Sequence, residues 1–120
     1  MKIVYASRSG NVEKLVKKLG VDDIFKIVDG TEEVDDSFIL ITYNDGEGEI
    51  PAVVKNFLDN NAFLCSGVFT SGNALNHPYT YNFAAQKIEE EYGLEILGKF
   101  DDDGDSDTVD DVLDAIERLS

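Results

Sequence analysis

Phe38-Ile39-Leu40-Ile41-Thr42 runs without a charged side chain or a turn former. Such a stretch leaves no wet side, so it reads as a strand covered on both faces. A strand of that kind belongs in a parallel sheet with helices above and below it. The flanking sequence supplies the other parts. Lys2–Ala6 is a short β-branched and aromatic run that ends at Ser7-Arg8-Ser9-Gly10. Val12, Leu15, Val16 and Leu19 then fall at i, i+3, i+4 and i+7, one face of a helix that Gly20 stops. Ile24–Val28 reads as a second strand. Pro51 suits the first turn of a helix whose buried face is Val53, Val54, Phe57 and Leu58. A fourth strand lies within Ala62–Thr70, a helix over Phe83–Tyr92, and a fifth strand over Leu94–Phe100. Val109, Val112, Leu113 and Ile116 mark the inner stripe of a last helix, whose N-terminus Asp107 and Asp110 are expected to cap and charge-complement.

The resulting order, β-α-β-β-α-β-α-β-α, predicts right-handed crossovers and an α/β fold with a doubly wound parallel sheet. Between strands two and three the polar stretch Asp29–Ser37 admits either a short helix or a loop. At 120 residues the chain is expected to form a single domain spanning 1–120. One cysteine, Cys65, precludes an internal disulfide and suits the reducing cytoplasm. Its place in an apolar strand makes it a small hydrophobe and not a nucleophile. No apolar run approaches the roughly 20 residues of a membrane span, and the N-terminus shows no secretory signal.

The formal net charge of −15 argues against binding to nucleic acid or to an anionic membrane. That charge is unevenly placed. Residues 1–28 carry a net +3, eight acids and no base lie between Lys26 and Lys55, and nine acids follow Lys99. Runs like these are usually solvated faces. The acidic stretch Asp101–Asp107 superficially suggests calcium, but an EF-hand register fails: the sixth position is Ser106 and the twelfth Val112.

In open doubly wound sheets, ligands bind outside the carboxyl ends of the strands. Three stretches follow strand ends here. Ser7, Arg8, Ser9, Gly10 and Asn11 combine hydroxyls, an amide and a helix N-terminus, the parts of a phosphate site, or equally of an ordinary helix cap. They lack the Gly-Lys-Ser/Thr of a nucleoside-triphosphate loop. Thr42, Tyr43, Asn44, Gly46, Glu47 and Gly48 form a glycine-containing loop able to approach a flat ligand, or a plain turn. Ser71, Gly72 and Asn73 open a longer segment in which Tyr79 and Tyr81 offer aromatic faces. The single histidine, His77, lies in the same segment and reads as an exposed polar residue. A phosphoacceptor receiver would need an acidic pair after strand one and an aspartate ending strand three. The corresponding ends read Ala6-Ser7-Arg8 and Thr42-Tyr43.

Ser7-Arg8-Ser9-Gly10-Asn11-Val12-Glu13 resembles the start of the NrdI family, flavodoxin-like activators of class Ib ribonucleotide reductase. The resemblance continues through Thr42-Tyr43, Gly46, Gly48, Ile50-Pro51, Phe57-Leu58, Ser71-Gly72-Asn73, Tyr92-Gly93-Leu94 and Lys99-Phe100. It implies a flavodoxin-like five-stranded sheet of order 2-1-3-4-5 with helices on both faces, and one bound FMN. By position, Ser7, Ser9, Gly10 and Asn11 would hold the phosphate with Arg8 near it. Thr42–Gly48 and Ser71–Asn73 would flank the isoalloxazine, with Tyr79 as a stacking candidate. The family reduces oxygen with the reduced flavin and delivers the oxidant to the dimanganese site of the reductase's radical-bearing small subunit. The implied partners are that subunit and a flavodoxin or ferredoxin reductase as electron donor. The segment 74–82 is longer and differently composed than the family's usual aromatic–glycine stretch. A general flavodoxin-type electron carrier is the alternative function.

Overall fold

A computed structural model describes residues 1–46, 48–72 and 83–120. Along the chain come β1 (Lys2–Tyr5), α1 (Asn11–Leu19), β2 (Ile24–Lys26), β3 (Phe38–Tyr43) and α2 (Ala52–Asn61). A short 3-10 turn (Ala62–Leu64) leads into β4 (Cys65–Gly72), followed by α3 (Phe83–Tyr92), β5 (Ile96–Asp101) and α4 (Ser106–Leu119). The five strands are parallel and ordered β2-β1-β3-β4-β5. This is the flavodoxin-like order expected from the sequence.

Period-two alternation sorts the core into two layers. Ile3, Tyr5, Ile39, Ile41 and Phe69 point to one face, where they meet Val12, Leu15 and Val16 of α1 and Val112 and Ala115 of α4. Val4, Ala6, Phe38, Leu40 and Val68 point to the other, against Val54, Phe57 and Leu58 of α2 and Ile88 of α3. β3 sits at the centre, and its four residues Phe38–Ile41 are fully buried. This is why its sequence shows no polar alternation. Each such side chain withdrawn from water contributes about 1.5–3 kcal/mol, so a charge at Ile39 or Ile41 would unfold the sheet from its middle.

The connection between β2 and β3 is a loop, and a buried amide explains why no helix is needed. Asn61 is 1% exposed. Its Nδ2 donates to the Glu32 carbonyl at 3.0 Å and the Phe57 carbonyl at 2.9 Å, while its Oδ1 accepts the Val34 N–H at 3.1 Å. Glu32 supplies the rest: its carboxylate accepts N–H bonds from Val28, Asp29 and Gly30 at 2.7–3.1 Å. Burial pushes that carboxyl up, and these backbone donors more than offset it, holding it below its ordinary value.

Two local expectations shift. The apolar residues Ala62–Leu64 form the 3-10 turn instead of the start of β4 and leave Phe63 exposed. The cap of α4 is Asp105, whose side chain accepts the Thr108 N–H while Thr108 bonds back to the Asp105 N–H. Asp107 lies inside the first turn, where its charge complements the helix dipole.

Candidate functional site

The carboxyl ends of β1 and β3 adjoin, yet their connections diverge, β1 leading to the edge strand β2 and β3 leading towards β4 and β5. A crevice between divergent connections is the usual ligand position in open α/β sheets. The first wall is Ser7–Asn11. Gly10 occupies the N-cap of α1 at φ 94°, a left-handed conformation that a side chain would strain. A Cβ there would meet nothing within 4 Å, so backbone conformation and not crowding calls for glycine. Without a side chain Gly10 cannot cap the helix, and Ser7 Oγ reaches only the Glu13 N–H at 3.3 Å. Among the described residues no side chain takes the N–H groups of Asn11 or Val12, which remain directed at whatever anion approaches. Ser9 is exposed beside them.

The second wall starts at Thr42, fully buried, whose Oγ1 has no hydrogen-bond partner among the described residues. An orphaned hydroxyl costs about 1–3 kcal/mol, and this one lies one residue before the carboxyl end of β3. Asp45 then closes a tight turn: its carbonyl accepts the Gly48 and Glu49 N–H groups at 3.0 and 2.7 Å, and its N–H donates to the Glu49 carbonyl at 2.9 Å. Gly46 and Gly48 take φ values of 50° and 95° in this turn.

Other contacts fix the turn from outside. Glu49 pairs with Lys87 of α3 at 2.8 Å. Asn44 donates its Nδ2 to the Ser71 carbonyl and accepts the Ala84 N–H on Oδ1, both at 3.0 Å. Arg8 leaves the first wall, pairs with Asp45 and places its guanidinium 5.6 Å from the centre of the Tyr43 ring. Burial pushes the Tyr43 hydroxyl up, Asp45 adds to this and Arg8 opposes it. The third wall begins at Ser71 and Gly72, held to the β5–α4 loop by the Ser71 hydroxyl on the Asp102 carbonyl at 2.6 Å and the Asp102 N–H on the Gly72 carbonyl at 2.9 Å.

Thus Ser7 to Asn11, Thr42 to Gly46, Gly48, Ser71 and Gly72 gather at one end of the sheet. Glu47, Asn73 and Tyr79, together with His77 and Tyr81, lie outside the described residues. Asp45 falls within the glycine-containing loop read from the sequence, but its pairing with Arg8, and the role of Lys87, were not legible there. Their bonds join residues 37 apart in Arg8–Asp45 and different elements in Glu49–Lys87, and no local pattern marks such pairs.

Residues 3–114 match the model of a family described as NrdI Flavodoxin like. The chain belongs to that family. Protein NrdI of Bacillus licheniformis is 39% identical over 122 residues, covering 99% of this chain and 89% of the relative. A solved flavodoxin of Streptococcus pneumonia TIGR4, described as a novel drug target, superposes with a TM-score of 0.66 at 27% identity, covering 98% of this chain and 95% of that one. Membership of the NrdI family implies a flavin cofactor, and flavodoxins are themselves a type case of binding at the β1/β3 switch point. The residues on hand fit FMN. Uncapped helix N–H groups and the Ser7 and Ser9 hydroxyls suit a phosphate, the orphaned Thr42 Oγ1 suits a polar chain, and the Gly46–Gly48 turn beside Tyr43 suits a flat ring. No helix among the described residues is long and apolar enough to cross a membrane.

Proposed function

We propose that this NrdI-family chain holds one FMN in the β1/β3 crevice and activates a class Ib ribonucleotide reductase, supplying reduced oxygen for assembly of the dimanganese–tyrosyl radical cofactor in the radical-bearing small subunit. The observation that carries the flavin site is the pairing of an uncapped α1 N-terminus with an orphaned buried hydroxyl at the adjoining strand end. The activating role draws its support from family membership.

Bound FMN would store two reducing equivalents and pass them to dioxygen or to a partner. The chain supplies binding and orientation. Gly10, Asn11 and Val12 offer N–H donors to the phosphate, and Ser7 and Ser9 offer hydroxyls. Thr42 would offer its hydroxyl to the polar chain of the cofactor. Residues of the β3–α2 loop and of the segment that begins at Ser71 would flank the ring. Because Asp45 and Glu49 are already engaged by Arg8 and Lys87, part of the negative field of that turn is neutralised where the ring would lie. A flavodoxin or ferredoxin reductase would provide the electrons.

Two measurements test this. The purified protein should be yellow, or become so on titration with FMN, and a protein that refuses FMN overturns the site. Reduced protein mixed with oxygen and a Mn²⁺-loaded class Ib small subunit should produce a tyrosyl-radical signal in electron paramagnetic resonance. A flavin-loaded protein that yields none would be a general electron carrier.

A further inference from the structure

The only arginine of the strand-end loops turns away from the helix N-terminus it adjoins. Arg8 is the second residue of the β1–α1 loop, beside the N–H groups suited to a phosphate, yet its guanidinium pairs with Asp45 and lies over the Tyr43 ring. Tyr43 is the last residue of β3 and Asp45 the second residue of the β3–α2 loop. Among the described residues this is the one hydrogen-bonded tie between the two loops. The far side of the same turn is anchored independently by Lys87 on Glu49 and by Asn44 on Ser71 and Ala84. Asp45 also receives the Gly46 N–H on Oδ1 at 3.0 Å, so the carboxylate that Arg8 grips is the one that shapes the turn.

We propose that Arg8 is a positioning residue for the ring-binding turn and not a phosphate ligand: through Asp45 and Tyr43 it sets the width of the crevice in which the isoalloxazine lies. Three features favour this. The guanidinium already has a carboxylate partner and an aromatic face, so turning it to a phosphate would leave the Asp45 carboxylate unpaired beside the ring. The phosphate site has a full donor set without it, in the helix start and the serine hydroxyls. Arg8 is also the connection on the β1 side that matches Lys87 on the α3 side, giving the turn two opposed supports.

The inference presupposes the FMN site, and comparing FMN with riboflavin, which lacks the phosphate, separates the two ideas. Affinities of the full chain for both flavins are measured by fluorescence quenching, for wild type, Arg8→Met, Arg8→Lys, Asp45→Asn and the Arg8→Met/Asp45→Asn double variant. Arg8→Met should weaken both flavins by the same factor, about five- to tenfold, as expected for one partly exposed ion pair with a cation–π contact. Arg8→Lys should recover part of that loss, because it keeps the charge but not the planar fork. For riboflavin, the double variant should be no weaker than Arg8→Met alone, the signature of two residues acting as one unit. A loss confined to FMN would make Arg8 a phosphate ligand and overturn the proposal, as would unchanged affinity for both or additive effects of the two substitutions. A wild-type chain that binds neither flavin would instead remove the FMN site itself.

Discussion

Asn44 donates its side-chain amide to the Ser71 carbonyl at 3.0 Å, joining the end of β3 to the end of β4, and the same amide accepts the Ala84 N–H in the first turn of α3. One side chain therefore fixes three elements around the crevice. Asn44→Asp keeps the acceptor but replaces the donor with a charge facing a carbonyl. Loss of a part-buried hydrogen bond should cost about 1–2 kcal/mol. Chemical denaturation should show this as a lower midpoint at unchanged slope, and a variant as stable as wild type would refute the bridging role.

Asn61 presents a deeper case. Two of its three hydrogen bonds, to the Glu32 carbonyl and from the Val34 N–H, tie the 27–37 loop to the end of α2, and Asn61→Ala would remove the partner of both groups. A loss of about 2–4 kcal/mol follows. Amide exchange should show faster opening of the loop well before global unfolding.

Acid should loosen the same loop. The folded-state pKa of Glu32 lies below its ordinary value of 4.5. Its contribution is therefore complete above pH 4.5 and is lost as pH falls through the lower folded value. Glu32→Gln should reduce stability at neutral pH and flatten the decline below pH 4.5. A pH profile parallel to wild type would show that Glu32 does not drive it.

Cys65 should be chemically silent in the native protein. Burial pushes its thiol up to about 11, with the Gly67 and Leu40 backbones acting the other way. Alkylation at pH 8 should be negligible until denaturant exposes the strand, and rapid native labelling would contradict this burial.

Charge in the 45–49 turn should tune a bound flavin. Glu47→Gln with Glu49→Gln removes two negative charges from the β3–α2 loop and should raise the two-electron midpoint potential of a bound flavin. Lys87→Gln, which unpairs Glu49, should lower it. A redox titration checks both signs, and equal shifts in the same direction would exclude an electrostatic origin.

The apolar pattern made the sheet and its helices legible because burial repeats at period two in strands and about 3.6 in helices. Phe38–Ile41 announced a strand with no wet side, and Val12, Leu15, Val16 and Leu19 announced the inner face of α1. The strand ends at which the candidate residues gather were legible for the same reason. What stayed hidden depends on polar partners distant in sequence. Nothing in Asp29–Ser37 reveals that Asn61 and Glu32 would satisfy its backbone without a helix. Arg8, placed near a phosphate by the family resemblance, pairs with Asp45, 37 positions away, and no local pattern announces that partner. Phe63 misled in the opposite sense: an apolar residue next to a strand is not obliged to enter the core.

The central place of β3 bears on how the chain is made. On a ribosome, β1, α1 and β2 emerge first, but Ile3 and Val4 lack their inner neighbour until Ile39 and Leu40 arrive to pair beside them. β3 in turn lacks cover on its open side until β4 is released. A nascent chain halted before residue 65 therefore displays a bare parallel edge, the state most prone to wrong pairing. Synthesis of β4 marks the point at which the growing chain can shelter its own middle.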